Sequence, residues 1–322
     1  MKKRGYATAI YGKWHVGYDP KYNPENQGFD DFKGFVSGNI DLFSHIDQAG
    51  KADWWVHSKI EEEKGYAPHI ITKHALKFMR ENKDKPFCLY LPQPAPHYPY
   101  QGPNDKGYRT IGNSEPGRGI VQDKARAYRD MVEDLDTQVG HIIKETEKLG
   151  ISENTLIVFC SDNGGTGEYL SSNKPFRGIK SGLYEGGHRV PGIFYWPGKI
   201  QGNQVSDNLV TTIDFMPTFV KMADETYDGE NLDGIDLRPM LFNGAVIKNR
   251  KMFWEFRKVL AMRDGDWKIL IQKNGEVELY DLSNDISERK NLVKEKPQKA
   301  EQMSKELRAW YKEVTAGVKK RS

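Results

Sequence analysis

The chain has 322 residues, 37% hydrophobic and 29% charged, with 48 Lys and Arg against 45 Asp and Glu for a formal net charge of +3. That length excludes a peptide-like module and allows one large domain, or a large domain with a smaller appendage. The near balance of charge leaves little long-range field to attract nucleic acid or a membrane surface, so a site for an anion has to be built locally.

In chain order, the basic start Met1 to Arg4 leads into an apolar stretch, Tyr6 to Tyr11, and then Gly12-Lys13-Trp14-His15-Val16-Gly17. No apolar run is long enough for a signal peptide or a transmembrane helix, so either the protein is cytosolic or its true beginning lies elsewhere. Pro68 to Asn82 has helical spacing through Ile71, Ala75, Phe78 and Met79, followed by a strand candidate, Phe87 to Leu91, which ends in the proline-dense loop Pro92 to Pro99. From Val121 to Leu149 apolar residues trace one face of a long amphipathic helix that stops at Gly150. Thr155 to Cys160 is a continuous apolar, β-branched run that reads as a buried strand of a parallel sheet, and it breaks into Ser161-Asp162-Asn163-Gly164-Gly165. Strands alternating with helices predict an α/β fold with a mostly parallel sheet, and such sheets bind ligands at the carboxyl ends of their strands.

After Gly244 the texture changes. Met252 to Phe256, Val259 to Met262, Trp267 to Ile271 and Val277 to Leu282 read as an antiparallel meander, with turn signals at Asp264-Gly265 and Asn274-Gly275. Pro297 to Val314 is helical in spacing and begins with proline. The predicted division is a large α/β domain over 1–244 and a small α+β domain over 245–322. Cys88 and Cys160 each sit inside apolar runs and read as buried thiols rather than a disulfide framework. The aromatic content, with seven Trp and sixteen Tyr, suits stacking against sugars and serves packing equally.

Four segments could carry chemistry, and each has a plain alternative. Lys13 and His15 stand two apart, so in an extended strand both project from one face; the alternative is a surface lysine beside a half-buried histidine. His97 is flanked by Pro96 and Pro99, which fix its position at little further entropic cost and suit a general acid; loop histidines are often simply exposed. Asp162 and Asn163 supply hard oxygen donors of the kind Ca²⁺ or Mg²⁺ takes, beside glycines that allow close backbone approach; a strand-ending turn has the same composition. The run Phe176 to Pro191 gathers Arg177, Lys180, His188 and Arg189 in a glycine-rich loop able to wrap an oxyanion, or else a solvated basic loop.

Together, and in this order, GKWHVG, PHYP, SDNGG and GIKSGLYEGGHRVP resemble the sulfatases of the alkaline phosphatase superfamily. The resemblance extends over Gln27-Gly28-Phe29-Asp30, Asp214-Phe215-Met216-Pro217-Thr218, Leu232-Asp233-Gly234 and Glu278-Leu279-Tyr280-Asp281-Leu282, nearly the whole chain. It implies an alkaline-phosphatase-like mixed, mostly parallel sheet flanked by helices, with a small C-terminal α+β domain. It implies that Asp162 and Asn163 bind a divalent metal, usually Ca²⁺, that Lys13 and Lys180 bind sulfate oxygens, that His97 protonates the departing alcohol, and that His15 hydrogen-bonds the nucleophile. The implied substrate is a sulfated small molecule or glycan, with no nucleic acid or membrane partner, in a periplasmic or secreted enzyme.

The family's nucleophile is a formylglycine made from the Cys or Ser of a C/S-x-P-x-R motif upstream of GKWH, beside further metal-binding aspartates. Neither Cys88 nor Cys160 has those neighbours, and the chain starts just before GKWH, so the expectation is an N-terminally truncated sulfatase with no nucleophile and an incomplete metal site. Ser114-Glu115-Pro116-Gly117-Arg118 fits the pattern on the wrong side of two motifs and reads as coincidence. Two alternatives remain: an inactive sulfatase-like remnant that binds anions or sugars, and a phosphodiesterase or phosphonate hydrolase of the same superfamily. Truncation predicts unpaired sheet edges and poor solubility.

Overall fold

A computed structural model describes residues 1–113, 122–224, 226 and 232–318. The Ser114 to Arg118 string therefore lies outside the described residues. The chain divides into two compact units, the first Met1–Leu156 with Trp196–Gly198 and Pro217–Leu232, the second Ile157–Tyr195 with Lys199–Met216 and Asp233–Ser322.

The first unit is built on a mixed sheet. Its strands are β1 (Ala7–Lys13), β2 (Asp31–Phe35), the two-residue strands β3 (Trp55–Val56) and β4 (Lys59–Ile60), and β5 (Phe87–Tyr90), in the order β4-β3-β2-β1-β5. β1 runs parallel to both neighbours, with Ile10 opposite Phe32 on one side and Tyr90 on the other, while β3 and β4 add an antiparallel edge. Ala9, Ile10 and Tyr11 are buried, as expected of a central strand covered on both faces. Helix α1 (Ala67–Asn82) lays Ile71, Ala75 and Phe78 into the same core as Ala9 and Tyr11, and α2 (Lys124–Lys148) adds Ala127 and Met131. Gly34 is obligatory on physical grounds: a Cβ there would lie 2.0 Å from the Gly12 carbonyl oxygen. β1 and β2 can pair at this register only because that side chain is missing.

The second unit contains β6 (Ile157–Cys160), the single turn α3 (Glu185–His188), β7 (Gly192–Tyr195), the first residues of α4 (Phe215–Ala223), α5 (Arg238–Asn243), strands β8 (Lys251–Phe256), β9 (Val259–Asp264), β10 (Trp267–Ile271) and β11 (Val277–Asp281), and α6 (Pro297–Val314). One expectation is corrected here. β6 is not a buried parallel strand: it pairs antiparallel with β7, Phe159 opposite Ile193, and Phe159 is 37% exposed. A continuous apolar run signals burial on two faces but cannot name the partner strand or its direction.

The meander agrees with the sequence reading, in the order β11-β10-β9-β8 and antiparallel throughout. α6 places Ala300, Met303 and Leu307 against Met262, Ile269 and Ile271, and Trp310 stacks on Phe253 with ring centroids 5.1 Å apart. Cys88 and Cys160 are free, partly buried thiols, and burial pushes both above the ordinary thiol pKa. No helix is long and apolar enough to cross a membrane among the described residues.

Candidate functional site

In the first unit, Lys13 is the last residue of β1, at the carboxyl end of a parallel strand. Its amide donates to the Pro92 carbonyl at 2.9 Å, which seats the start of the proline loop beside the lysine. Gly12 makes that approach possible, because a Cβ there would lie 2.3 Å from the Pro92 oxygen. Further along the loop the His97 amide closes a turn onto the Pro94 carbonyl at 2.8 Å, and His97 Nδ1 lies 2.6 Å from the Tyr98 carbonyl. A carbonyl only accepts, so Nδ1 carries a proton and Nε2 is the nitrogen through which His97 can exchange one with a ligand. The peptides Ala95–Pro96 and Tyr98–Pro99 are cis.

His15 departs from the expected geometry. β1 ends at Lys13, and His15 adopts a left-handed backbone with φ +52°, so the alternation that would place Lys13 and His15 on one strand face does not apply. Trp14, just before His15, is anchored: its amide donates to the Phe35 carbonyl at 2.8 Å, its Nε1 donates to the Tyr22 carbonyl at 2.8 Å, and its ring meets Phe29 edge-on. The His15 ring is set against Gly38, where a Cβ would come within 3.0 Å of Nε2.

In the second unit, Asp162 and Asn163 follow β6 directly. Asp162 is exposed, Ser161 Oγ donates to the Asn163 carbonyl, and Asn163 Nδ2 donates to the Gly164 carbonyl at 2.9 Å. The backbone of this turn is joined to the glycine-rich loop. Gly164 N donates to Gly187, Lys180 N donates to Gly165 at 3.0 Å, and Asn173 grips Gly165 through both its carbonyl and its amide. Asp162, Asn163 and Lys180 are thus held by one hydrogen-bonded assembly. A Cβ on Gly164 would lie 1.8 Å from the Gly186 carbonyl oxygen. Gly164→Ala is therefore expected to cost about 3 kcal/mol, the upper part of the usual overpacking range, and to separate the two loops; a urea midpoint equal to that of the native protein would contradict this.

The basic loop itself is engaged inward more than its composition suggests. Arg177 lies 3.8 Å over the Tyr184 ring and donates to the Glu288 carbonyl and Tyr280 Oη. Arg189 pairs with Glu185 and covers Phe176, and His188 packs at a tilt against Trp254 with centroids 4.6 Å apart. These contacts tie three of the four basic side chains into packing, which shifts the weight of the oxyanion reading to Lys180.

Sequence reading missed the group that anchors this loop. Lys268 Nζ, fully buried in β10, lies 2.8 Å from Glu185 Oε1 and 2.9 Å from Glu288 Oε1. Arg263 Nη1 reaches Glu185 Oε2 at 3.0 Å, and the Glu185 amide donates to Glu288 Oε2 at 2.7 Å. Burial pushes both carboxyls up. At Glu185 the charges of Lys268 and Arg263 outweigh it and hold the group below the ordinary range, while Glu288 remains above it. In the sequence the only signal was an ionisable residue at an inward position of the apolar run Trp267 to Ile271.

With this geometry in place, comparison with known proteins is decisive. The family model described as Sulfatase matches residues 1–225, across both sets of motif residues. The chain belongs to the sulfatase family. A second model, described as N-sulphoglucosamine sulphohydrolase, C-terminal, matches residues 179–316. Among sulfatase relatives, the N-acetylgalactosamine-6-sulfatase of Rattus norvegicus is 30% identical over 286 residues, covering 83% of this chain and 52% of that protein. Arylsulfatase A of Homo sapiens is 28% identical, covering 91% of this chain and 66% of that protein. The chain spans about half the length of the N-acetylgalactosamine-6-sulfatases it matches. The crystal structure of Ps i-CgsB in complex with k-i-k-neocarrahexaose superposes with a TM-score of 0.83 at 28% identity, covering 96% of this chain and 72% of that one.

The sulfatase family implies a divalent metal. The oxygen donors of Asp162 and Asn163 fit a hard cation by their chemistry. A different cluster also meets a ligand spacing: Glu25, Asp31 and His57 bring one donor atom each within 4.8 Å of one another. There Lys33 Nζ already lies 2.5 and 2.8 Å from the two Asp31 oxygens, and Tyr11 donates to the same carboxylate, so ion pairing accounts for that group. It is widely spaced in sequence, and nothing in the motif pattern pointed to it.

Proposed function

We propose that this chain supplies the sulfate-binding and proton-transfer residues of a sulfuric ester hydrolase that acts on a sulfated carbohydrate outside the cytoplasm. The observation that carries the proposal is the seating of Lys13 at the carboxyl end of β1 with its amide bonded to the loop that bears His97, in a chain of the sulfatase family. In this reading Lys13 and Lys180 each bind sulfate oxygens by charge-assisted hydrogen bonds. His97, as the imidazolium, delivers the Nε2 proton to the departing alcohol oxygen as the S–O bond breaks and keeps the Nδ1 proton that holds its ring on the Tyr98 carbonyl. His15 hydrogen-bonds the nucleophile. Asp162 and Asn163 would hold Ca²⁺, which when bound neutralises charge on the sulfate. The carbohydrate assignment is favoured by the relatives named above, among them an N-acetylgalactosamine-6-sulfatase and a protein solved with a neocarrahexaose. These relatives favour sulfate over phosphonate esters.

The test is binding, since the C/S-x-P-x-R nucleophile pattern occurs only at Ser114 to Arg118, out of order with the other motifs. N-acetylgalactosamine 6-sulfate titrated into the chain should bind, and Lys13→Ala and Lys180→Ala should each weaken binding about 10-fold, the loss of one hydrogen bond to a charged group. Unchanged affinity in both variants would remove the proposal. The chain alone is expected to hydrolyse no aryl sulfate. Turnover that disappears in Ser114→Ala would instead identify that serine as a working nucleophile.

A further inference from the structure

We infer that a groove on the second unit binds the sugar residues flanking the sulfated one, and that Arg257 reads a carboxylate or second sulfate on them. The inference rests on the sulfated-glycan reading above and deepens it. A cavity of about 220 Å³ is walled by Ser181 to Tyr184, the residues that immediately follow Lys180, and by Arg257 in the β8–β9 turn and Gln272 at the end of β10. A second, open hollow of about 610 Å³ shares Tyr184 and Gln272 and continues to Lys273, Asn274 and Glu276. The two hollows meet at Tyr184 and Gln272, next in sequence to the loop that carries Lys180.

The lining has the chemistry of a sugar site. Leu183, Phe256 and Val259 offer apolar surface to the C–H face of a ring, while Ser181, Tyr184 and Gln272 present groups that match hydroxyls. Two of these are already positioned. Tyr184 Oη donates to Glu278 Oε2 at 2.8 Å, and Gln272 Nε2 donates to Tyr184 Oη at 3.2 Å and to Glu278 Oε1 at 2.9 Å. With its amide nitrogen so engaged, Gln272 keeps Oε1 as the acceptor for a ligand hydroxyl. Arg257 is exposed, lies 5.1 Å over the Phe256 ring, and presents a planar fork suited to two oxygens of one anion. A neutral glycan would leave that guanidinium without a role in recognition.

Titration calorimetry on the whole chain tests this with three probes: N-acetylgalactosamine 6-sulfate, a chondroitin 6-sulfate tetrasaccharide and a neocarrahexaose. At least one oligosaccharide should bind more tightly than the monosaccharide. Arg257→Ala should weaken that oligosaccharide about 10-fold and leave the monosaccharide within about 2-fold, with a smaller selective loss for Gln272→Ala. If Lys180→Ala changes neither ligand while Arg257→Ala still weakens the oligosaccharide, the sulfate-site assignment fails and the groove stands. If no oligosaccharide exceeds the monosaccharide, or if Arg257→Ala and Gln272→Ala both leave oligosaccharide affinity unchanged, the groove is overturned.

Discussion

Lys268→Ala is expected to destabilise the second unit by about 3–5 kcal/mol, the usual cost of breaking a buried ion pair from one side. The reason lies in what stays behind. Glu185 and Glu288 are fully buried, both lie within 3 Å of the Lys268 ammonium, and Arg263 reaches only Glu185. Without Lys268, Glu288 has lost its ion-pair partner and has to take up a proton or drag water inward. Urea unfolding followed by Trp254 and Trp267 fluorescence measures the loss. The loss should shrink at acid pH, where the stranded carboxylates are protonated. A variant within 1 kcal/mol of the native protein at neutral pH would show that the cluster is far better solvated than its burial indicates.

Acid should weaken the same unit through His188. Burial first, and the Lys268 charge second, lower its pKa to about 4, from an ordinary value of 6.5. A histidine depressed in the folded state contributes stability that is fully present above about pH 6.5 and is lost as pH falls through 4, because the unfolded chain takes the proton first. A shift of that size corresponds to about 3 kcal/mol. The groups facing the ring are Lys268, Glu185, Arg263 and Trp254. Glu288, with its raised pKa, works in the opposite direction at the low end of this window, so the informative quantity is a difference. The native stability curve between pH 7 and pH 4 should fall more steeply than that of His188→Gln, and parallel curves would refute the assignment.

Much of the fold was legible because local rules and tertiary packing agree. The turn signals Asp264-Gly265 and Asn274-Gly275 stand where β9, β10 and β11 reverse, and α6 begins and ends at Pro297 and Val314 as its spacing predicts. β6 was harder. Its apolar run declares burial without naming a partner, and pairing with β7 depends on residues more than thirty positions away. Motif order singled out Lys13, His97 and Lys180 as candidates, while the left-handed turn at His15 escaped because a bulky residue at positive φ has no local signature. The Glu185, Lys268 and Glu288 cluster escaped for a related reason. Composition marks such residues as surface charges, and only folding brings a strand lysine onto two carboxylates from distant segments.

The joining of Lys180's loop to the meander has a thermodynamic corollary. Lys180 reaches the rest of its unit through a turn whose glutamate is clamped by a lysine more than eighty residues later. Any ligand that prefers the clamped arrangement must also favour the folded sheet, by the same free energy in both directions. A screen for lost anion affinity should therefore return positions deep in β10 that never meet the anion, and their signature would be recovery of binding on cooling or with stabilising osmolytes.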